Sequence, residues 1–262
     1  MKSLKNLLEV VAQLRNPKGG CPWDLDQDFA SIAPYTVEEA YEVADAIARE
    51  DMPGLRDELG DLLFQVALHA QMAAEAGHFD FADVESAICD KMVRRHPHVF
   101  GSDDERKRGV EAGSWERIKA SERRADAPVA PSALDGIALS LPALKRAEKL
   151  GKRAAGTGFD WPEATGPRKK IDEEVGELDE ALAGPDKQKM VEELGDLLFA
   201  IVNLARHLKI DPEQALVGAN RKFEQRFRLM EDAVRDTGAS LADLDIDSLE
   251  AKWQAAKKET RS

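Results

Sequence analysis

The same acidic and apolar segment occurs twice in this chain. "DELGDLLFQV" begins at Asp57, and "EELGDLLFAI" begins at Glu192. Glu58 and Glu193 are 135 positions apart, and the same interval pairs Asp61 with Asp196 without a gap. Self-similarity at a fixed interval is the signature of a duplicated structural unit. The chain must therefore adopt a fold that can be built twice.

A second acidic element precedes each copy at the same distance. "EEAYE" ends at Glu42 and "EEVGE" ends at Glu177, again 135 positions apart. Between the copies, "SERRADAPVAPSALDG" is polar and contains two prolines, which is typical of a linker. We predict two homologous domains, residues 1–121 and 136–262, joined by a linker over 122–135.

Hydrophobic periodicity favours helices in both halves. Apolar residues at Ile171, Val175, Leu178 and Leu182 follow the rhythm of an amphipathic helix. The next segment, 190–208, is apolar around most of its circumference, which predicts a buried helix. A terminal helix is expected at 248–259, with Ser248 as its N-cap. No strand-like alternation appears, so we predict an all-α fold, a tandem repeat of two bundle-like domains.

Composition and charge narrow the classes of function. The formal net charge is -13 over 262 residues, which disfavours a nucleic-acid partner. Cys21 and Cys89 form no metal-binding or disulfide pattern, so reduced thiols and a cytoplasmic location are expected. The amino terminus lacks the apolar core of a signal peptide. No apolar run approaches the roughly 18 residues of a membrane span, so no membrane partner is predicted.

The acidic elements predict a cation site. Residues three apart on a helix lie roughly 60° apart, so each acidic pair shares one face. Antiparallel helices would bring two such faces together, and unpaired charges there are costly unless a cation binds. Carboxylate oxygens suit Mg²⁺, with Mn²⁺ as a substitute. The predicted ligands are Glu174, Glu177, Glu193 and Asp196, and a second, degenerate site is predicted at Glu39, Glu42, Glu58 and Asp61.

The alternative for any single acidic pair is a solvated helix face. The metal interpretation rests on the combination: two pairs on consecutive helices, with the whole arrangement repeated at constant spacing.

Cationic residues accompany the second acidic set. Lys170 lies one turn before Glu174, and Lys189 lies one turn before Glu193. Such cations suit a polyphosphate that shares its charge with a metal, although they could also simply neutralise acidic helices. Two further pairs of residues lie one turn apart, Lys222 with Arg226 and Trp253 with Lys257. Trp253 could stack on a base or pack in the core.

Several motifs together resemble one family. "GCPWD", "IAPYTVEEAYE", "GDLLFQV", "RRHPHVF", "GFDW" and "GDLLFAIVNLARHL" are similar to the two-domain bacterial form of the MazG nucleoside triphosphate pyrophosphohydrolases. The resemblance implies an all-α, Mg²⁺-dependent homodimer. It implies cleavage of nucleoside triphosphates between the α and β phosphates, giving a monophosphate and pyrophosphate.

The resemblance also implies roles for residues and for the protein. The metal ligands correspond to the four carboxylates of the second half. A role in nucleotide-pool house-cleaning or regulation is expected, and a toxin-antitoxin or stringent-response link follows from resemblance alone. Glu173 and Glu192 are alternative candidates for the catalytic base. Nucleotide contacts correspond to Lys170, Lys189, Glu192, Lys222, Arg226, Trp253 and Lys257.

The two halves differ in their cations. At the same interval, Lys170 is matched by Tyr35 and Lys189 by Gly54. We therefore predict that residues 136–262 form the catalytic domain and that the first domain is weak or inactive.

Two rival functions stay open at this point. Related all-α enzymes act on dUTP or phosphoribosyl-ATP. A non-catalytic module that senses nucleotides or binds a partner would also suit an acidic helical pair.

Overall fold

The fold is helical in both halves of the chain. The computed structural model describes residues 4–110, 118–119, 121–122, 132–236, 238 and 240–260, and these contain helices and turns but no strand. The predicted all-α tandem repeat is confirmed. The chain divides into two compact units, Met1–Asp126 and Ala127–Ser262. Most of the predicted linker, 122–135, lies outside the described residues.

The first unit contains seven described helices. Two of them, α3 and α4, are long and pack against each other as a hairpin. The helices are α1 (Leu4–Leu14), α2 (Pro22–Leu25), α3 (Phe29–Ala48), α4 (Met52–Glu75), α5 (Phe81–Arg95), α6 (Pro97–Phe100) and α7 (Asp103–Arg108).

The second unit is built around an equivalent hairpin of α9 and α10. The helix α8 packs on α10, and α11 pairs with α12. The described helices are α8 (Ala143–Ala155), α9 (Thr165–Leu182), α10 (Lys187–His207), α11 (Pro212–Arg235) and α12 (Ile246–Glu259), with a 3₁₀ turn at Leu241–Asp243 before α12.

Aspartate side chains begin most of the long helices. Asp28, Asp51, Asp80, Asp186 and Asp211 each accept a hydrogen bond from a backbone N–H in the first turn. Such caps satisfy amide groups that have no partner within the helix.

The cap predicted for the terminal helix was wrong. The helix α12 begins two residues earlier than expected, with Asp245 as its N-cap. Ser248 lies in the first turn, and its backbone N–H donates to Asp245 at 2.8 Å.

The core of the first unit lies where α1, α3 and α4 meet. Val11, Ile32 and Leu68 are almost completely buried there, together with Ala67 and Met72. In the second unit, Ala181 of α9 and Ala200 of α10 are buried, and these two helices pack against each other.

The predicted burial of the second acidic helix was only partly right. Ala200 and Val202 of α10 are buried, but Val191, Leu194, Leu198 and Ile201 of the same helix are each between 45% and 57% exposed. Part of the apolar surface of α10 is therefore left uncovered by the described residues of its own chain. Among the described residues, every helix is too short or too polar to span a bilayer.

Leu68→Ala is expected to destabilise the first unit by about 2–5 kcal/mol, because the vacated volume lies in a packed core. Leu68 has no solvent exposure. The matched control is Leu4→Ala, where the leucine is 42% exposed and a change within about 0.5 kcal/mol is expected. Urea unfolding followed by circular dichroism measures both, and equal effects would contradict the core assignment.

Candidate metal and nucleotide site

Three carboxylates converge between α9 and α10. Glu174 and Glu177 lie one turn apart on α9, and Glu193 faces them from the first half of α10. Each offers an oxygen within 4.8 Å of the other two. The short connection between the antiparallel helices brings the two acidic faces together, as the spacing predicted.

Glu174 is the buried member of this cluster, with 4% of its surface exposed. One oxygen, Oε1, forms an ion pair with Lys170 Nζ at 2.7 Å. The other, Oε2, is buried, and no donor among the described residues reaches it. A buried carboxylate oxygen without a partner is unfavourable. The oxygen-only donor set and this orphaned atom fit a hard divalent cation such as Mg²⁺.

Charge repulsion within the cluster perturbs its titration. Desolvation, together with the negative charge of Glu174, raises the pKa of Glu177, while the nearby Lys170 acts in the opposite direction. Hydrogen bonds to Glu173 and then Glu174 raise the pKa of Lys170. Lys170 is therefore a fixed positive charge at the edge of the cluster.

The first unit repeats the cluster with a different third member. Glu39, Glu58 and Asp61 bring their oxygens within 4.8 Å of one another. Burial, followed by the charge of Asp61, raises the pKa of Glu39. Desolvation and the adjacent Glu42 raise the pKa of Glu58.

The two clusters together use all four positions of the acidic motif. Both units use the first and third positions of the motif, which are Glu39 and Glu58 in the first unit and Glu174 and Glu193 in the second. The remaining place is taken by Asp61 in one unit and by Glu177 in the other. Asp196 and Glu42 lie outside the close groups, so their ligand roles stay predictions.

The residues predicted to contact nucleotide fall into two places. Lys170 contacts Glu174, and Lys189 and Glu192 lie within one turn of Glu193 on α10. Lys170 also contacts Glu173 Oε1 at 2.7 Å. Lys189 is exposed in the first turn of α10, and Glu192 accepts a hydrogen bond from Gln188 at 3.1 Å.

The other predicted contacts lie on the α11–α12 pair. Trp253 packs on Phe223 with ring centroids 5.2 Å apart, and Arg226 Nε donates to Thr260 Oγ1 at 2.9 Å. Lys222 is exposed one turn before Arg226, and Lys257 lies one turn after Trp253. Trp253 is partly buried, so its packing on α11 does not exclude an open ring face.

A charged network near the end of α10 was missed by sequence reasoning. Asp160, in the loop before α9, accepts hydrogen bonds from Arg206 and from His207 Nε2, the latter at 2.9 Å. These contacts, chiefly with Arg206, lower the pKa of Asp160 to about 2. Arg206 Nε also donates to Asn203 at 2.8 Å. The pairing joins residues 46 positions apart, and no local pattern could have indicated it.

Comparison with known proteins shows which family has this sequence pattern. The MazG nucleotide pyrophosphohydrolase domain matches the chain twice, over residues 27–100 and 165–228. The chain belongs to the MazG family. The two matches contain the acidic clusters of the two units, and membership confirms the prediction of a hydrolase that acts on acid anhydrides.

Relatives match the chain over nearly its whole length. A nucleoside triphosphate pyrophosphohydrolase of Escherichia coli is 50% identical over 264 residues, which cover 99% of this chain and 98% of that protein. The nucleoside triphosphate pyrophosphohydrolase/pyrophosphatase MazG of Thermotoga maritima is 42% identical over 97% of this chain and 95% of its own length. Both alignments span the two units, which fits the two-domain form.

Glu177→Gln is expected to raise the melting temperature of the metal-free protein, since it removes one of three crowded negative charges. The same change should reduce the additional stabilisation that Mg²⁺ gives, because a ligand is lost. Differential scanning calorimetry with EDTA and with excess Mg²⁺ measures both effects.

The control is Asp179→Asn, at an exposed position on the opposite face of α9. It should leave the Mg²⁺-induced shift intact. A Mg²⁺ shift of wild-type size in Glu177→Gln would contradict the site.

Proposed function

We propose that the protein hydrolyses nucleoside triphosphates between the α and β phosphates, releasing a monophosphate and pyrophosphate. The observation that carries the proposal is the carboxylate cluster of the second unit. In it, the buried Glu174 lies beside the cationic Lys170 and has an oxygen, Oε2, for which the described residues supply no hydrogen-bond donor. The names of the relatives support the same reaction class.

The residues of the cluster suit Mg²⁺, with Mn²⁺ as a substitute. Glu174, Glu177 and Glu193 would hold the ion, and Asp196 is proposed as a fourth ligand. When bound, the ion would polarise the phosphate oxygens and lower the pKa of a coordinated water.

The neighbouring cations would bind and orient the triphosphate. Lys170 Nζ lies between Glu173 and Glu174, so it can turn a proton donor toward a phosphate oxygen without moving far. Lys189 extends the positive border along α10. These charges would stabilise the negative charge that builds on the departing pyrophosphate.

A general base must accept a proton from the attacking water. Glu173 is exposed beside the cluster, but its Oε1 already accepts a hydrogen bond from Lys170 Nζ at 2.7 Å. Glu192 is exposed one residue before Glu193 and accepts a hydrogen bond from the neutral side-chain amide of Gln188 at 3.1 Å. We favour Glu192 as the base and keep Glu173 as the alternative.

The second unit would carry most of the activity. The first unit retains three clustered carboxylates, but Tyr35 occupies the position of Lys170 and Gly54 that of Lys189. A metal alone would leave the triphosphate without those two counter-charges. The first unit is therefore proposed to be weak or inactive in hydrolysis.

The α11–α12 group would complete nucleotide binding. Lys222, Arg226 and Lys257 supply positive charge, and Trp253 supplies a ring. Two of these side chains are already held in place, Arg226 by Thr260 and Trp253 by Phe223.

The protein is proposed to form a homodimer through the exposed apolar face of α10. Val191, Leu194, Leu198 and Ile201 recur at intervals of three and four, so they form one stripe along the helix. The first unit carries Leu59 and Leu63 at the corresponding places of α4, also exposed. Exposed apolar stripes of this kind mark protein interfaces, and a second copy of the chain is the partner that the resemblance favours.

The rival enzymes are narrower versions of the same chemistry, acting on dUTP or phosphoribosyl-ATP. The non-catalytic rival, a nucleotide sensor, would bind triphosphates without turnover. We favour the broad pyrophosphohydrolase, acting in the cytoplasm in nucleotide-pool house-cleaning or regulation.

Glu177→Ala is expected to lower kcat by at least ~100-fold, because it removes a ligand from the proposed catalytic cluster. Glu42→Ala, at the same position of the first unit, should leave most of the activity. Chromatography of the products from a panel of triphosphates, with Mg²⁺ and with EDTA, gives both the rate and the bond cleaved.

Monophosphate and pyrophosphate in equal amounts are expected. Release of diphosphate and phosphate would overturn the proposed bond specificity. Loss of activity only in Glu42→Ala would reverse the assignment of the units, and turnover of dUTP alone would favour that rival. Triphosphate binding without turnover by the wild-type protein would favour the sensor.

Leu198→Lys is expected to convert dimers to monomers, because it places a charge in the centre of the α10 stripe. Size-exclusion chromatography with light scattering measures the mass directly. Leu139→Lys is the control, since Leu139 is 83% exposed and lies outside the stripe. A dimer that persists in Leu198→Lys would show that another surface joins the subunits.

A further inference from the structure

Each unit carries an arginine at an equivalent place of the repeat. "KMVRR" ends at Arg95 and "KFEQR" ends at Arg226, so each arginine follows a lysine by four residues. Further along, "WERIKASE" ends at Glu122 and "WQAAKKET" ends at Thr260, so each of these residues stands seven positions after a tryptophan. By sequence, Glu122 is therefore the counterpart of Thr260.

The structure joins the arginine to this second residue in both units. In the second unit, Arg226 Nε donates to Thr260 Oγ1 at 2.9 Å. In the first unit, Arg95 Nε and Nη2 donate to Glu122 Oε2 at 3.1 and 2.7 Å. Residues 34 positions apart in one unit and 27 apart in the other thus make the same side-chain contact. The contact is a repeated feature of the fold, but its chemistry differs between the units.

The partner of Arg226 is a neutral hydroxyl. Thr260 Oγ1 donates its own proton to the backbone oxygen of Ala256 at 3.1 Å, so the hydroxyl oxygen can accept from the guanidinium. This bond fixes the direction of Arg226 without cancelling its positive charge, since a hydroxyl is uncharged. Arg226 is half-buried, and an anion that met it there would gain a charge-assisted hydrogen bond.

The partner of Arg95 is a carboxylate. Glu122 also pairs with Arg94 Nη2 at 2.7 Å, and the side chains of Glu122 and Arg95 are only 16% and 18% exposed. Arg95, followed by Arg94, lowers the pKa of Glu122 to about 2, so the carboxylate is charged at neutral pH. An internal anion therefore lies at the guanidinium that corresponds to Arg226. A phosphate group would have to displace a two-nitrogen ion pair in order to bind there.

We propose that the residue at this position decides whether the arginine of each unit can bind a phosphate group. Thr260 is a positioning residue that orients Arg226 and leaves its charge to the ligand, whereas Glu122 is a built-in competitor that closes the corresponding place of the first unit. The inference rests on the proposed function, because it takes Arg226 as a phosphate contact. It gives the first unit a second cause of weakness, beyond its lack of counterparts to Lys170 and Lys189.

Thr260→Glu gives the second unit the carboxylate of the first. It is expected to raise KM for nucleoside triphosphates and the inhibition constant of inorganic pyrophosphate by ~10-fold or more, as expected for losing one close charge pair. The kcat value should change little, because the contact serves binding. Thr260→Val keeps the shape and adds no charge, so a smaller rise is expected, and Thr260→Ser should recover the wild-type values.

Ala255→Glu is the matched control in the second unit. It adds the same charge to α12 at an exposed position, roughly 140° around the helix from Thr260, so KM should keep its wild-type value. An equal rise in Ala255→Glu and Thr260→Glu would show a general effect of added charge. An equal rise in Thr260→Val and Thr260→Glu would show that charge is not the cause. Either result would overturn the inference.

Glu122→Gln tests the first unit. It keeps the size of the side chain but removes the charge set against Arg95, so binding of inorganic pyrophosphate in the presence of Mg²⁺ should strengthen by ~10-fold or more. Calorimetric titration measures this in an Arg226→Ala background, in which the gain belongs to the first unit. Glu85→Gln, which removes the same charge from an exposed position of α5, should give no gain. If Glu122→Gln gives no gain either, Glu122 does not close this place.

Equilibrium binding separates this inference from the proposed function. Calorimetric titration with Mg²⁺ and an α,β-methylene triphosphate analogue measures affinity without turnover, and circular dichroism checks that every variant is folded. If the wild-type protein hydrolyses no triphosphate but binds the analogue, and Thr260→Glu weakens that binding, the proposed function fails while the inference stands. If hydrolysis occurs as proposed and Thr260→Glu changes neither KM nor the affinity for the analogue, the inference is wrong.

Discussion

Crowding of negative charge around a buried carboxylate governs the architecture of the second unit. Glu174 is almost fully buried, yet within the part of the chain that the structure describes only one of its oxygens has a partner, and Glu177 and Glu193 crowd the same space. Burying a charge without full compensation is unfavourable, so packing elsewhere must hold α9 and α10 in this arrangement. Lys170 supplies a local counter-charge at 2.7 Å from Glu174, and a divalent cation would supply the rest.

The two units differ in that counter-charge. In the first unit, an uncharged Tyr35 stands where Lys170 stands in the second, and the pKa values of Glu39 and Glu58 are both raised. The acidic motif therefore persists without its cation. The repeat thus contains a matched pair of acidic sites, which differ at the positions that are proposed to hold a polyphosphate.

Regular spacing made much of the fold and the cluster predictable. The interval of 135 residues gave the repeat, and the 3.6-residue periodicity gave the helices and the shared face of Glu174 and Glu177. The start of α12 was misplaced because Asp245 outcompeted Ser248 as a cap. Burial of α10 was overestimated because periodicity tells which faces are apolar and not which molecule covers them. The Asp160–Arg206 pair was missed because it depends on a loop meeting a distant helix end.

The aspartate caps bear on how the acidity of this protein should be understood. Asp28, Asp51, Asp80, Asp186 and Asp211 owe their place to the amide groups at helix starts, and none of them needs a ligand to explain it. Part of the net charge of -13 is thus a by-product of how an all-helical chain begins its segments. For helix-rich proteins in general, a low isoelectric point is then a poor guide to the sign of what they bind: an acidic surface and an anionic substrate can belong to one molecule.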